Sequence, residues 1–360
     1  MKIGILTYHR TLNYGACLQA VATRVVLEKM GHKVYYVDYW PKYHQGKYKI
    51  FSWKVFIPLP FKRKIRYVWG AIKHRKYIIR RANNFATFHN QYIIPFCKPL
   101  SETYDVVVYG SDQIWRKQKE TKAYNPIYFG GRSIKAKKHI SYAASMGSLP
   151  ETEQDRSQVR ELVSNFDKIS VRENSLKNLL SELGIQNVTQ SLDPTLLLSA
   201  REWNRIIPTP DYHGPKYVLV YGIGTVSFEM DEVKQYAQEN KCIVKLLQSN
   251  GTATDTETLI TTAAPDTFIY LVKNAECIFT SSFHGLAFSI IYQKEFFASF
   301  TQKKVSRAQS LLTTLGLKDR LLYPHTKIPS CKGINYKKVE SLLQDMRIES
   351  MRYLTDNTKF

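Results

Sequence analysis

The sequence lacks the features of a membrane-spanning, secreted or zinc-binding protein. No apolar run approaches the roughly 20 residues that a membrane-spanning helix needs. The N-terminal MKIGILTYHR has neither the apolar stretch nor the cleavage site of a secretory signal. The five cysteines, at positions 17, 97, 242, 277 and 331, include no CxxC pair, which is typical of reduced structural thiols. We therefore expect a cytoplasmic protein with no metal and no bound cofactor.

Acidic residues are absent from one long stretch of the chain. Between Asp38 and Glu102 there is none, whereas Lys and Arg number 14 and so supply 14 of the 22 net positive charges. Aromatic side chains alternate with the basic ones in this segment, residues 42–98. The mixture indicates contact with the inner face of an anionic membrane, ordinary solvated helices with long basic stems, or nucleic-acid binding. No helix-turn-helix, RNA-binding or zinc-finger pattern accompanies the charge, so we expect no nucleic-acid partner.

The 360 residues are too many for a single hydrophobic core, and strands alternate with helices in two successive series. We predict an α/β protein of two Rossmann-like, doubly wound domains facing a cleft. The predicted domains are 1–199, with the basic aromatic insertion at about 42–98, and 200–335, followed by a helix at 336–360 that packs back on the first domain. Predicted strands include Lys2–Thr7, Lys138–Ala144, Tyr217–Tyr221, Cys277–Thr280 and Glu295–Ser299, and predicted helices include Leu18–Met30 and Leu286–Tyr292.

Small or polar residues follow several of these strands, where open parallel sheets bind their ligands. The clusters are Asn13-Tyr14-Gly15, Gly110-Ser111-Asp112, Met146-Gly147, Arg172, Gly222-Ile223-Gly224 and Ser281 to Gly285. Two domains that face each other would bring all six to one cleft. Taken alone, each cluster has a structural alternative, and Gly222-Ile223-Gly224 equally suits a tight turn.

The segment TSSFHGLAFSII is the most informative of these clusters. It predicts a buried strand followed at once by a helix, whose first backbone N–H groups can bind an anion. The Ser281 and Ser282 hydroxyls and the His284 imidazole would complete that site. In the structural alternative, Ser282 is only the N-cap of the helix and His284 a satisfied polar residue.

Three charged residues at predicted strand ends have both functional and structural interpretations. Arg172, after KISV, can hold a carboxylate or phosphate in a bidentate contact or form a salt bridge with a nearby acid such as Glu173. Asp112, after the buried strand YDVVVY, can act as a base or cap the segment that follows. Asp193-Pro194 looks like a strand-end turn, for which we favour a structural role.

Six stretches resemble, in the same order, the polysaccharide pyruvyl transferase family. They are NYGACLQ, YDVVVYGSDQIW, ISYAASMG, ISVRE, LDPTLLL with Trp203 after it, and KNAECIFTSSFHGLAFSIIY. The resemblance runs from about residue 3 to residue 320. It implies a GT-B-like fold, phosphoenolpyruvate as the co-substrate, and a saccharide acceptor that is often carried on a lipid diphosphate.

The resemblance also implies roles for individual residues. Characterised relatives bind the donor with the Arg of the ISVRE position, here Arg172, and with an Arg-Leu-His triplet that aligns with Ser282-Phe283-His284. The His is retained and the Arg is replaced by Ser282. Together with the clusters at the strand ends, this gives Arg172, Ser281, Ser282, His284, Gly285, Gly222 and Gly224 as the predicted donor-binding residues, and Asn13, Tyr14, Gly15, Gly110, Ser111 and Asp112 as the predicted acceptor-binding residues. His284 would serve as general acid or phosphate ligand and Asp112 as the base.

Two other functions remain open at the level of sequence. A glycosyltransferase with a nucleotide-sugar donor shares the two-domain architecture, and Glu295 would then be the acidic contact to the ribose. A non-catalytic protein that binds anions, membranes or nucleic acid would explain the basic charge, with an isoelectric point near 9.6, but would leave the polar clusters at the strand ends without a role.

Overall fold

Two parallel sheets with helices on both faces make up the protein, as seen in a computed structural model. The structure describes residues 1–41, 56–118, 121–131, 133–222, 228–248, 253–301, 305–323, 328–329 and 333–359. In these ranges no helix is both long enough and apolar enough to cross a lipid bilayer.

The first sheet is built around the N-terminal strand. Its strands are β1 (Lys2–Leu6), β2 (Lys33–Asp38), β3 (Cys97–Pro99), β4 (Thr103–Tyr109) and β5 (Lys135–Ser141), in the order β3-β2-β1-β4-β5. All pairings are parallel. Two short strands, β6 (Ile169–Val171) and β7 (Val188–Gln190), pair with each other and continue the sheet past β5 through isolated bridges at Lys168 and Val171.

The second sheet repeats this arrangement. Its strands are β8 (Tyr217–Tyr221), β9 (Ile243–Leu247), β10 (Leu259–Ile260), β11 (Cys277–Thr280), β12 (Glu295–Ser299) and β13 (Leu321–Leu322). They are parallel and lie in the order β10-β9-β8-β11-β12-β13. Counted within the domain, this is the 3-2-1-4-5-6 order of a Rossmann fold.

Helices connect the strands of both sheets. The α-helices are α1 (Tyr14–Lys29), α2 (Phe61–Tyr92), α3 (Glu153–Val163), α4 (Asn174–Glu182), α5 (Ala200–Ile206), α6 (Met230–Glu239), α7 (Pro265–Asn274), α8 (Phe283–Ile291), α9 (Val305–Thr314) and α10 (Tyr336–Asn357). Short 3₁₀ helices lie at Ile94–Phe96, Pro126–Tyr128, Pro194–Leu197 and Lys318–Arg320. The predicted fold class is confirmed: the protein has two doubly wound α/β domains.

Two helices begin earlier than the sequence predicted, for the same physical reason. Asn13 caps α1 by accepting a hydrogen bond from the Ala16 amide, so the helix starts at Tyr14 and not at Leu18. Ser282 caps α8 through the Gly285 amide, which starts that helix at Phe283, three residues before the predicted Leu286. Polar N-caps fix a helix start because they satisfy backbone donors that have no partner inside the helix.

The predicted strand at 138–144 is shifted toward the N-terminus, because β5 runs from Lys135 to Ser141. Residues 142–146 instead leave the sheet and approach the β6 region. The Ala144 amide donates to the Ser170 carbonyl, and the Arg172 amide donates to the Ala144 carbonyl. The segment after β5 is therefore held against the residue that ends β6.

Most of the described part of the basic segment is one helix of 32 residues, α2, and residues 42–55 lie outside the described ranges. Only Arg81, Phe85, Phe88 and His89 of this helix are buried. The C-terminal third therefore anchors α2, and the N-terminal two thirds lie at the surface.

Helix α10 contacts both sheets. At its start the Tyr336 hydroxyl donates to the Lys294 carbonyl before β12. Near its end the Tyr353 hydroxyl donates to the Ser141 carbonyl of β5 at 2.8 Å, and Lys138 donates to the Asn357 carbonyl. The predicted domain limits at 199 and 335 stay predictions.

One apolar core runs continuously from the first domain into the second. At its centre the Tyr14 ring stacks on Phe85 of α2 and on Phe268 of α7, with ring centroids 5.6 Å and 5.3 Å away. The Tyr221 ring at the end of β8 is tilted against Tyr14 at 5.7 Å. The N-terminus of α1 therefore packs directly against the second domain.

Candidate functional site

Side chains from both domains meet at one carboxylate, that of Asp193. The Arg172 guanidinium lies 3.2 Å from Asp193 Oδ2 through Nη2, and His284 Nε2 lies 3.5 Å from the same oxygen. The Ser111 hydroxyl donates to this oxygen at 3.3 Å and accepts a hydrogen bond of 2.6 Å from Arg172. The structure thus brings together three predicted site residues, from the ends of β4, β6 and β11, around a fourth residue that was expected to be only structural.

Asp193 is fully buried. Burial by itself raises the pKa of its carboxyl, but the charges of Arg172 and His284 outweigh burial and hold the pKa well below its usual range. Its other oxygen, Oδ1, accepts hydrogen bonds from the Thr195 amide and hydroxyl. The expected strand-end turn is present, since Asp193 caps the 3₁₀ helix at Pro194–Leu197, and the same side chain also organises the site.

His284 is held against the first domain by Gly15. A Cβ at Gly15 would lie 1.9 Å from His284 Nδ1, so any larger residue would displace the imidazole. Glycine is therefore required at this position of α1. The contact joins the Asn13-Tyr14-Gly15 cluster to the Ser281-to-Gly285 cluster, as a shared cleft requires.

The two serines before α8 have a structural role and also lie at the helix N-terminus that was predicted to bind an anion. The Ser282 hydroxyl accepts from the Gly285 amide at 3.4 Å, which makes it the N-cap, and Ser281 lies buried beside it. A Cβ at Gly285 would lie 2.1 Å from Thr280 Oγ1, so this glycine allows close packing of α8 on β11. The dipole of α8 nevertheless points its positive end toward the site.

Asp112 lies beside the cluster without joining its hydrogen bonds. Its backbone has φ 63°, and its carbonyl accepts from the Ile114 and Ser145 amides. Among the residues that the structure describes, the partly exposed carboxylate makes no hydrogen bond or ion pair, and its charge acts on Arg307. A free carboxylate next to a cationic cluster is chemically able to accept a proton.

The predicted acceptor residues occupy different environments. The Asn13 side chain is partly exposed and caps α1, whereas the Tyr14 ring is 1% exposed and packs between the domains. Burial leaves the Tyr14 ring no open face for a sugar. Gly110 has φ 125°, and a Cβ there would lie 2.2 Å from the Tyr142 carbonyl oxygen, so it shapes the loop that carries Ser111.

The two glycines after β8 are only partly covered by the structure. Gly222 is partly exposed directly after the buried β8. Gly224 lies outside the described residues. Their predicted contact with the donor stays a prediction.

Two charged residues at the cluster, Glu173 and Arg307, are not among the predicted site residues. Glu173 accepts a hydrogen bond of 2.5 Å from the Ser145 hydroxyl, and its Oε1 lies 3.8 Å from Arg307 Nε. Burial raises the pKa of Glu173, and the attraction of Arg172 and Arg307 only partly offsets this. Of the acids that the sequence offered Arg172 as a salt-bridge partner, the one that it pairs with is Asp193 and not the adjacent Glu173.

A cavity of about 190 Å³ opens beside these charges. Arg172, Asp193 and Phe283 line it on one side, and Arg307, Ser310 and Thr314 of α9 line it on another. A separate cavity of about 330 Å³ borders Glu173, Met146 and Gly147. The first cavity therefore offers a small ligand two guanidinium groups, an aromatic ring and hydroxyl groups, and its acids are Asp193 and Glu349.

In the described ranges, one group of side chains has the spacing of metal ligands: His9, Asp38 and Cys97, whose ligand atoms lie within 4.8 Å of one another. The Arg10 guanidinium donates to Asp38 at 2.6 Å. A hydrogen bond from His9 and the charge of Arg10 lower the pKa of Asp38, against the effect of burial. The cation that pairs with the Asp38 carboxylate is thus the Arg10 side chain.

Glu295, the acidic residue considered for a nucleotide-sugar donor, is engaged within its own domain. It accepts a hydrogen bond of 2.8 Å from Arg320 and one of 2.7 Å from the Ile334 amide. Both contacts use its carboxylate oxygens. A ribose would have to compete with them.

Comparison with known proteins gives one match that covers most of the chain. The model of the family described as polysaccharide pyruvyl transferase matches residues 13–299. No curated protein matches the chain in sequence.

Solved structures are similar to the chain at low sequence identity. A UDP-GlcNAc 2-epimerase from Methanocaldococcus jannaschii is 12% identical, with 99% of both chains covered and a TM-score of 0.45. The glycosyltransferase SsfS6 from Streptomyces sp. SF2575, complexed with thymidine diphosphate, is 11% identical, with 99% of both chains covered and a TM-score of 0.43.

Proposed function

The chain belongs to the polysaccharide pyruvyl transferase family. From that premise we propose that it transfers the three-carbon pyruvyl unit of phosphoenolpyruvate to a sugar of a surface polysaccharide or its lipid-linked repeat unit, where the enol is protonated and a pyruvate ketal forms. One observation carries the proposal: Arg172 and His284, from different domains, contact the same buried carboxylate beside a cavity for a small molecule.

The reaction requires protonation of the donor, attack by two sugar hydroxyls and loss of phosphate. The methylene carbon of phosphoenolpyruvate must gain a proton, which leaves an oxocarbenium-like centre at the neighbouring carbon. One sugar hydroxyl then bonds to that carbon, the bond to the phosphate oxygen breaks, and a second hydroxyl closes the ketal. Of the two hydroxyl protons, one balances the proton added to the methylene carbon and the other leaves with the phosphate.

Arg172 is suited to the anionic groups of the donor. Its side chain is 3% exposed, and within the described residues its Nε and Nη1 atoms have no hydrogen-bond partner. A buried guanidinium with two free nitrogens can bind a carboxylate or phosphate at little cost in desolvation. Asp193 holds the third nitrogen and so fixes the orientation of the group.

His284 is suited to proton transfer or phosphate binding. Imidazole groups transfer protons in many active sites, and the 3.5 Å contact between Nε2 and Asp193 Oδ2 orients the ring. Gly15 holds the ring in place from the other side. Asp112, with its free carboxylate, is the base that we assign to the attacking hydroxyl.

The surface helix α2 supports an acceptor presented at a membrane. It carries no acidic residue, and basic side chains near an anionic surface contribute about 1 kcal/mol each. We include in the proposal that this helix docks the cytoplasmic enzyme reversibly at the inner face of the membrane, where a lipid-diphosphate-linked saccharide would be available.

The test is release of phosphate from phosphoenolpyruvate in the presence of candidate saccharides. We expect the wild-type protein to release phosphate, and His284→Ala and Arg172→Ala to lose at least 100-fold in rate, since proton transfer and anion binding each contribute on the order of 10²–10⁴-fold. The exposed residues His213 and Arg201 give matched controls, because the same substitutions there should leave the rate unchanged.

A nucleotide sugar serves as the competing donor in the same assay. Transfer from a nucleotide sugar without phosphoenolpyruvate would replace the proposal with a glycosyltransferase. Full activity of both site variants would refute the roles given to Arg172 and His284.

A further inference from the structure

A second guanidinium, that of Arg307, lies in the same pocket as Arg172. The two groups share the Phe283 ring, with Cζ of Arg172 5.0 Å and Cζ of Arg307 5.7 Å from its centroid. The Arg307 side chain is 11% exposed and lines the cavity of about 190 Å³ together with Arg172 and Asp193. Two like charges are thus held within reach of one small molecule.

The cavity is lined by two arginines, Arg172 and Arg307, and by two acids, Asp193 and the exposed Glu349. Asp193 pairs with Arg172 at 3.2 Å. Glu173 lies farther from Arg307, at 3.8 Å, and its buried position disfavours the ionised form. Arg307 is itself disfavoured as a cation, first by burial and then by Arg172. A ligand with two anionic groups would relieve both effects.

The other contacts of Arg307 are with a neutral group. In the amide orientation that satisfies both side chains, the Gln113 oxygen accepts from Nη1 at 3.1 Å and from Nη2 at 2.6 Å. Gln113 lies in the GSDQIW loop after β4, so this contact also ties α9 of the second domain to the first domain. A neutral amide orients the guanidinium without cancelling its charge.

The residue at position 282 suggests what the two arginines bind. The family triplet carries an Arg where this chain has Ser282, and Ser282 serves as the buried N-cap of α8. We infer that Arg307 supplies the anion-binding guanidinium that position 282 lacks, and that Arg172 and Arg307 together bind a small ligand bearing a carboxylate and a phosphate. The identity of the ligand rests on the proposed function. Its negative charge is inferred from the pocket alone.

The experiment measures binding by titration calorimetry with two probes, phosphoenolpyruvate and inorganic phosphate, and without acceptor. For Arg307→Gln we expect the Kd of phosphoenolpyruvate to rise about 10- to 100-fold, the usual effect of losing a charge-assisted hydrogen bond. Arg307→Lys keeps the positive charge but loses the bidentate hydrogen-bonding geometry of the guanidinium. Its Kd should therefore lie between those of the wild type and Arg307→Gln. Arg201→Gln, at an exposed position, should bind as the wild type does.

The outcomes separate this inference from the proposed function. If the wild type binds phosphoenolpyruvate and Arg307→Gln binds it equally well, the inference is wrong and the proposed function stands. If the wild type binds phosphate but not phosphoenolpyruvate, the proposed function fails, and the loss of phosphate binding in Arg307→Gln still supports the second guanidinium. Binding of neither probe overturns both. Arg307→Lys serves as the test if Arg307→Gln does not fold.

Discussion

Asp193 links the charged residues of the site, because Arg172, His284 and Ser111 all contact its Oδ2 atom. Two of these three residues, Arg172 and His284, are basic. A buried acid between two basic groups fixes their positions and lowers the cost of burying them. The carboxylate therefore positions the groups that we assign to the donor.

Asp193→Asn removes the charge and keeps the shape. We expect the free energy of unfolding to fall by about 3–5 kcal/mol, because the change leaves Arg172 buried without its counter-ion. Denaturant unfolding at neutral pH measures this loss. The control is Asp231→Asn, which alters a carboxylate that is 96% exposed and should change the unfolding free energy by less than about 0.5 kcal/mol.

The difference in unfolding free energy between the wild type and Asp193→Asn should also depend on pH. Since Arg172 and His284 hold the pKa of Asp193 below its usual range, its ionised form stabilises the fold above the unfolded pKa of about 3.9. That contribution disappears as the pH falls through the lower folded value. The difference in unfolding free energy between wild type and Asp193→Asn should therefore shrink below about pH 4. A difference that stays constant there would contradict the assigned ionisation.

At the scale of elements, α2 combines a buried end with an exposed apolar face. Phe61, Ile65, Trp69 and Ile72 are 77%, 56%, 65% and 69% exposed, and their spacing of three and four residues places them on one side of the helix. Lys and Arg residues flank this face. An exposed apolar face bordered by basic side chains is typical of helices that lie in the interface of an anionic membrane.

Trp69→Ser should weaken binding to vesicles that contain anionic lipid, measured by co-sedimentation at low salt. The indole removes a large apolar area from water when it enters the interface, so we expect the bound fraction to fall several-fold while the fold stays intact. Tyr323→Ser is the matched control, because Tyr323 is 61% exposed and lies outside α2. Equal binding of the wild type to neutral and anionic vesicles would exclude docking through the basic residues.

At the scale of the whole molecule, the two domains share packing where the site is formed. Phe268 of α7 stacks on Tyr14 of the first domain, next to the Gly15–His284 contact. Phe279 of β11 is equally buried but packs on Phe228 and Phe297 within the second domain. Phe268 and Phe279 are therefore equally buried, but of the two only Phe268 packs against the other domain.

Phe268→Ala and Phe279→Ala should each lower the unfolding free energy by about 3–5 kcal/mol. Their effects on the binding of phosphoenolpyruvate should differ, with a raised Kd only for Phe268→Ala, because it loosens the contact that positions His284. Calorimetric titration at a temperature where both variants are folded makes the comparison. Equal Kd values in the two variants would show that domain packing does not control the site.

The sequence by itself determined the two-domain α/β fold, the strands Tyr217–Tyr221, Cys277–Thr280 and Glu295–Ser299, and the strand-end position of Arg172 and His284. Apolar runs and the residues that end them are local signals, so they can be recognised along the chain. Three contacts are visible only in the tertiary structure. Asp193 lies between Arg172 and His284, Gly15 leaves room for the His284 imidazole, and Arg307 lines the same cavity as Arg172. These contacts join residues far apart in the sequence, and charge and shape complementarity between them arises only when the two sheets pack against each other.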